Sequence, residues 1–456
     1  MTQLAWSAIG GDPRSADEVV FTGSGALKSA FAVTDLAAAA VATAALSVAE
    51  LVRHRTGDRV GVSVDRRLSS IWFGMSIRPI GWNLPTLWDP IAGDYRARDG
   101  WIRLHTNAPR HRAALERVVG AHGGSVPTKE TVARAVALWH KTELEVAVLE
   151  AGGCAAEMRA LDDWARHPQG QAVASEPLVH IAVTDSGAEP RWPVPPARPL
   201  EGLRVLDLTR VLAGPVASRF LAAYGADVLR IDPPDWDEPG VVPEVTLGKR
   251  CARLDLHNPS DRSIFEAVLS RTDVLLHGYR PGALDSLGFD AETRHRLSPG
   301  LIDVCLDAYG WSGPWAARRG FDSLVQMSTG IADTGMLQLH AEKPAPLPVQ
   351  ALDHATGYLM AAAAIRGIVR RLAQGSGIQA RLSLARTAKL LVDHGFNHDG
   401  PPISAETPAD RSPAIEATDW GPAQRVAPPA LVSGVPMWWS LPARKLGSET
   451  PRWQSD

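Results

Sequence analysis

LRVLDLTRVLAGPVASRFLAAY, Leu203 to Tyr224, decides the fold of this chain. Its opening run, Leu203 to Leu208, is branched and apolar enough for a buried strand. A short turn, Arg210 to Gly214, follows, and Pro215 stands where a first helical residue would, with φ already set. Ala217 to Tyr224 is apolar at helical spacing and ends at Gly225. Ala226 to Ile231 then reads as a second strand closing on Asp232. The unit is β-α-β. Its first turn puts small residues and free N–H groups at a helix N-terminus, which suits phosphate or pyrophosphate. GxGxxG is absent, so an ordinary dinucleotide dehydrogenase is not the first reading, although another enzyme using this turn for a nucleotide cofactor stays open.

Downstream, strands are expected at Cys251–Leu256, Asp273–Leu276, Leu301–Leu306 and Ala380–Leu384, and helices at Asp261–Leu269 and from His354 to Leu372. The alternation predicts an α/β fold with a Rossmann-like parallel sheet, helices on both its faces, and a smaller α+β domain. Upstream, residues 1–30 are weakly patterned. Asp35 precedes an Ala-rich helix, Leu36 to about His54, and Val60–Val64 reads as a strand. Tyr95–Thr106 reads as a hairpin turning at Asp99-Gly100, and residues 108–167 read as helical. Four segments follow: 1–190; a proline-rich linker at 191–200 within SGAEPRWPVPPARPL; 201–395; and a proline-rich tail, 396–456, whose Trp438-Trp439 is apolar enough to dock on the body. One element occurs twice: an Asp, an Ala-rich helix, a Gly stop and a strand run from Asp35 to Arg66 and again from Asp353 to Arg386, aligned with a two-residue gap.

The chain has 456 residues, 45% of them hydrophobic, and a net charge of −3, which supports a large core and argues against nucleic-acid binding. Cys154, Cys251 and Cys305 show no CxxC spacing and read as reduced thiols. The first residues lack the pattern of a signal peptide, the uncharged run between Asp35 and Glu50 is short of a bilayer span, and Val426–Ala443 is broken by prolines. A cytoplasmic protein with no membrane partner is expected. His394 and His398 have i, i+4 spacing, but Gly395, Asn397 and Gly400 make the stretch read as a polar loop, and no metal site is expected.

Six stretches, in order, resemble the class III CoA-transferases, a family that also holds 2-methylacyl-CoA racemases: GLRVLDLTRVLAGP, GADVLRID, GKRCARLDL, TDVLLHGYRPGALDSLG, GWSGPWAARRGFDSLVQMSTG and ALDHATGYLMAAAAI. The first half resembles the family's later portion in TGDRVGVSVDRR, DYRARDGWIRLH and LEVAVLEAGGCAAEMRALDDWARHPQG, and the tail resembles its closing segment, so the segment order is rearranged.

The resemblance implies transfer of CoA between an acyl-CoA and a carboxylic acid, a homodimer, and no tightly bound cofactor. The family's nucleophilic aspartate falls on Asp353. Read from pattern alone, Asp353 is an N-cap for the helix starting at His354, and Asp35 is read mainly as a cap too. For CoA, the resemblance points to Leu212, Ala213 and Gly214, to Lys249 and Arg250, to Gly278, Tyr279 and Ala283, and to Arg318. Cations suit the phosphates and Tyr279 suits adenine. Leu212 stands where some transferases have a glutamine, and Gly278-Tyr279 stands where many have Asn-Phe. Phe321 stands where the racemases have a proton-carrying histidine, which weakens the alternative of a racemase. A non-catalytic CoA-binding protein is the other alternative. Trp82 and Trp101 are candidate walls of an acyl pocket between the two halves, and His354 is a candidate modulator of Asp353.

Overall fold

The computed structural model describes residues 1–120, 127–184, 198–396 and 400–454. Most of the linker read at 191–200 therefore lies outside the described residues, as does His398 of the candidate metal pair. Among the described residues no cluster of three metal-ligating side chains occurs.

Seven strands make the central sheet: β1 (His180–Thr184), β2 (Arg204–Leu208), β3 (Asp227–Asp232), β4 (Lys249–Arg253), β5 (Val274–His277), β6 (Ile302–Asp307) and β7 (Gly377–Ser383). Their order is β4-β3-β2-β5-β6-β7-β1, parallel except for β1, which pairs antiparallel to β7. Alternate residues serve the two faces, as the strand period of two requires. Val205, Val228, Val274 and Val304 enter one apolar cluster, and Leu206, Leu229, Leu275 and Ala252 enter another. The fold is the expected α/β sheet with helices on both faces. Chain direction across the sheet reverses between β2 and β5, the place where open α/β sheets hold their ligands.

Two long helices dominate the larger cluster. The Asp35 helix (Val33–Thr56) and the Asp353 helix (Ala351–Gln374) pack against each other and both end at left-handed glycines, Gly57 and Gly375. The Asp35 helix extends beyond the uncharged run between Asp35 and Glu50 and is long and apolar enough to cross a membrane, but most of it is buried in this core. Neither aspartate is an N-cap. The helices start earlier, at caps Ala32 and Gln350 with nearly equal backbone angles, so Asp35 and Asp353 both sit third in the first turn. The duplication also needs no gap. Asp35, Gly57 and the helix cap Asp65 correspond at one constant spacing to Asp353, Gly375 and the cap Ser383, so Arg66 matches Leu384 rather than Arg386.

The first half does not pack as a body apart. Its opening segment folds into helices Thr2–Ala8 and Pro13–Asp17 beneath buried Trp6, in the cluster that also holds the Asp353 helix. Among its described residues, those around 91–157 build a separate apolar cluster, from the hairpin Gly93–Ala97 and Gly100–Leu104 with three helices. The region read as helical to 167 is interrupted by Ala155–Glu157, which pairs with the hairpin as a third strand. In the tail, Ala430–Val432 pairs with Val62–Asp65, and Gly421–Arg425 pairs with Ile77–Pro79.

Candidate active site

The Asp353 helix is positioned by close packing at Gly357, where an added Cβ would meet the Ala213 carbonyl oxygen at 2.3 Å. That contact sets the helix against Ala213–Ala223, the helix of the β-α-β unit. This second helix begins two residues before Pro215, which is its third residue. Proline fits there because the first-turn N–H groups have no intrahelical acceptor.

The first turn of the Asp353 helix takes its polar cap from elsewhere. Asp322, at the start of the helix Asp322–Ser328, accepts the Asp353 N–H at 2.9 Å and also faces the Leu352 N–H. Its other oxygen accepts from Gln326, whose amide oxygen in turn receives the Leu347 N–H at 2.7 Å. The Asp353 carboxyl has no hydrogen-bond donor among the described residues. Burial, and secondarily the Asp322 charge, push it well above the usual carboxylate range. Burial raises Asp322 as well, against the opposing hydrogen bonds to it. His354 does not modulate the pair: it is buried neutral, held down to about 3, and stacked on Phe73 with ring centroids 5.1 Å apart. Asp35 differs from Asp353 in being matched by a cation, Arg66 at 2.5 Å, with His394 at 3.8 Å.

Asp353 opens onto a cavity of about 620 Å³ between the two halves of the chain. Phe73–Met75, Thr86–Pro90, His105, Asn107 and Ala108 supply one side; Val211, Leu212, Trp236–Val241 and Phe321–Ser323 supply the other. The wall tryptophans are Trp88 and Trp236. Trp82 instead stacks on Trp420, and Trp101 packs beside Met158 and Phe321 in a satellite cluster. Val211 takes a left-handed φ of 65°, costly for a β-branched residue, and its N–H is held by Glu238 at 2.9 Å. Gly214 must be small, since a Cβ there would lie 2.2 Å from Thr209.

Of the residues the resemblance assigns to CoA, Leu212 lines the cavity, with Ala213 and Gly214 following it into the helix. Gly278 and Tyr279 follow β5 at the reversal point, and the Arg210 guanidinium bonds the Tyr279 hydroxyl at 3.0 Å. Ala283 only begins the four-residue helix Ala283–Ser286. Three cations are committed elsewhere. Lys249 is wholly buried, its Nζ 3.0 Å from both Asp207 and the Pro215 carbonyl; Arg250 is paired with Asp227; and Arg318 is paired with Glu145 at 2.8 Å and stacked on Trp315. Lys249→Met is accordingly expected to cost on the order of 3 kcal/mol of stability by stranding Asp207, with CoA affinity within about twofold in a binding titration.

The arginines that do gather at this end went unnoticed in the sequence. Arg110 and Arg210 flank the Trp236 ring, at 5.8 Å and 4.7 Å from its centroid. Burial and the neighbouring Arg280 and Arg110 charges lower Arg319. Arg110, Arg280 and Arg319 have no carboxylate partner among the described residues, and they come from three separate segments. Arg110 thus links the Trp236 ring to the Arg280 and Arg319 charges, and guanidiniums so placed suit an anion.

Residues 200–419 match CoA-transferase family III. That part, just under half of the chain, is similar to this family. An acetyl-coenzyme A transferase of Hypoxylon pulicicidum is 33% identical over 43% of this chain and 34% of its own length. A probable fatty acyl-CoA transferase of Mycobacterium tuberculosis is 32% identical over 40% of this chain and 49% of its own, and a crystal structure of it aligns at 29% identity over 44% of this chain and 58% of that one, with a TM-score of 0.41. A probable CoA-transferase of the same organism is 25% identical over 66% of this chain and 47% of its own. The chain thus spans about half or less of the length of these curated relatives. The family III match holds Asp353 and the β2 and β5 loops, while Thr86–Pro90, His105, Asn107 and Ala108 of the cavity wall lie outside it.

Proposed function

We propose that the chain is a CoA-transferase using Asp353 as nucleophile. The observation that carries the reading is the Asp353 carboxyl itself, buried, unpartnered and opening onto the 620 Å³ cavity. Its oxygen attacks the thioester carbonyl, the C–S bond breaks, and CoA thiolate leaves an acyl-aspartyl anhydride. The thiolate then attacks the aspartyl carbonyl and releases the first carboxylic acid, leaving an aspartyl-CoA thioester. An incoming carboxylate displaces CoA to form a second anhydride. The thiolate takes that acyl group and frees Asp353. Each step exchanges one acyl bond for another, so no redox group or further cofactor enters. A carboxylate denied hydrogen bonds is a stronger nucleophile than a hydrated one. The arginines around Trp236 suit the CoA phosphates, and Phe321 offers no second proton carrier for racemisation.

Incubation with acyl-CoAs and hydroxylamine tests the reading: the Asp353 peptide should carry a hydroxamate. A hydroxamate at Asp35, or none with any acyl-CoA, overturns it. The pH profile of kcat/KM is a second test. Asp353 acts deprotonated and its pKa is raised, so activity should fall on acidification at a pH well above the ordinary aspartate value of about 4. An inflection near that ordinary value would point to an exposed carboxylate instead.

A further inference from the structure

We infer that the acyl group taken by this site is bulky and apolar, and that acyl groups ending in a second carboxylate are excluded. The inference rests on the proposed transfer at Asp353 for its chemistry, but its physical basis is the cavity wall. Phe73, Met75, Leu87, Trp88, Trp236 and Val241 present mostly carbon to the space. No lysine or arginine lines it among the described residues, whereas Asp89, Asp237 and Glu238 do. The two histidines of the wall, His105 and His354, are each held down to about 3 by burial and stay neutral. Arg103, behind Trp88, is held by Asp94 at 2.8 Å, and Arg110 and Arg210 flank Trp236 without lining the cavity. Arg112 and Arg230 are already taken by Asp89 and Glu238, so a second carboxylate would be buried beside acids with no free cation lining the cavity, which is strongly unfavourable. An apolar chain gains instead, and a cavity of 620 Å³ is of a size that encloses a drug-sized ligand.

The test compares butyryl-, hexanoyl-, octanoyl- and succinyl-CoA with the full chain. Each buried methylene should raise kcat/KM about fourfold until the cavity is filled. Succinyl-CoA, which differs from butyryl-CoA by a terminal carboxylate in place of a methyl group, should fall on the order of a hundredfold below it, since an unpaired buried charge is costly. Equal or better turnover of succinyl-CoA overturns the inference. Binding to Asp353→Ala separates the two claims. If no thioester turns over but octanoyl-CoA still binds this variant far more tightly than succinyl-CoA, the transferase reading fails and the pocket inference holds. Equal binding of the two defeats the pocket inference even where transfer occurs. Met75→Arg, which puts a cation into the wall, should narrow the succinyl-to-butyryl gap at least tenfold; an unchanged gap also counts against the inference.

Discussion

Asp353→Ala removes CoA transfer, by on the order of 10⁴-fold in kcat if loss of a covalent nucleophile here resembles other such cases, and leaves the protein at least as stable as before. The second half of that expectation distinguishes a functional group from a structural one. Burial and Asp322 raise the folded-state pKa of Asp353 above its unfolded value. The folded state therefore holds a proton more tightly, and stability falls as pH rises from the unfolded pKa to the folded one. At neutral pH the native residue carries that penalty and alanine does not. A melting temperature unchanged or higher, with no turnover and intact acyl-CoA binding, fits a site that retains an unfavourable carboxylate for its chemistry. A marked drop in melting temperature would mean that Asp353 is a structural residue.

Glu244→Ala is expected to be the most damaging single change to the fold. The Glu244 carboxylate accepts the backbone N–H groups of Ser76 and Ile77, each at 3.0 Å, and is paired with Arg219 and, at 3.0 Å, with Arg425. It therefore joins the first half, the β-α-β unit and the tail at one buried point. Burial alone would raise its pKa, but the two guanidiniums hold it down to about 2. Removing the carboxylate leaves Arg219 buried without a carboxylate and Arg425 with Glu416 alone, a loss of about 3–5 kcal/mol. Against a total stability of about 5–15 kcal/mol that is a large share. Denaturant titration should show the loss, and limited proteolysis should release fragments of residues 400–454 before the rest. The pH dependence follows in sign: the Glu244 contribution is full above the ordinary glutamate range and is lost as pH falls from there toward 2. In Glu244→Gln that part of the acid limb should flatten.

The sheet was legible because its strands carry branched runs bounded by turn residues, and Val205 enters one apolar cluster while Leu206 and Leu208 enter the other as that pattern requires. The helix starts were not. Asp353 looked like a cap because aspartate caps well, but the backbone enters the helix at Gln350 and the cap comes from Asp322, 31 residues away in sequence. Lys249 and Arg318 show the same limit: a basic residue in a CoA-family motif reads as a phosphate ligand until the fold supplies Asp207 or Glu145. Arg110 and Arg210 at Trp236, and Arg280 and Arg319 near Arg110, escaped because no local pattern links these four positions. The cavity was anticipated between the halves, but its tryptophans were misassigned, since Trp82 and Trp88 lie in one loop and only tertiary packing sets Trp88 against the cavity.

Strand β1 adds a kinetic consequence. Its hydrogen-bond partner is β7, so the nascent chain exposes His180–Thr184 while roughly 190 further residues are made, on the order of ten to forty seconds at usual elongation rates. During that interval an unpaired strand edge can meet a neighbouring ribosome's product, and self-association competes with waiting for β7. Yield in a heterologous host should thus be governed by translation speed and chaperone supply more than by the equilibrium strength of the finished sheet.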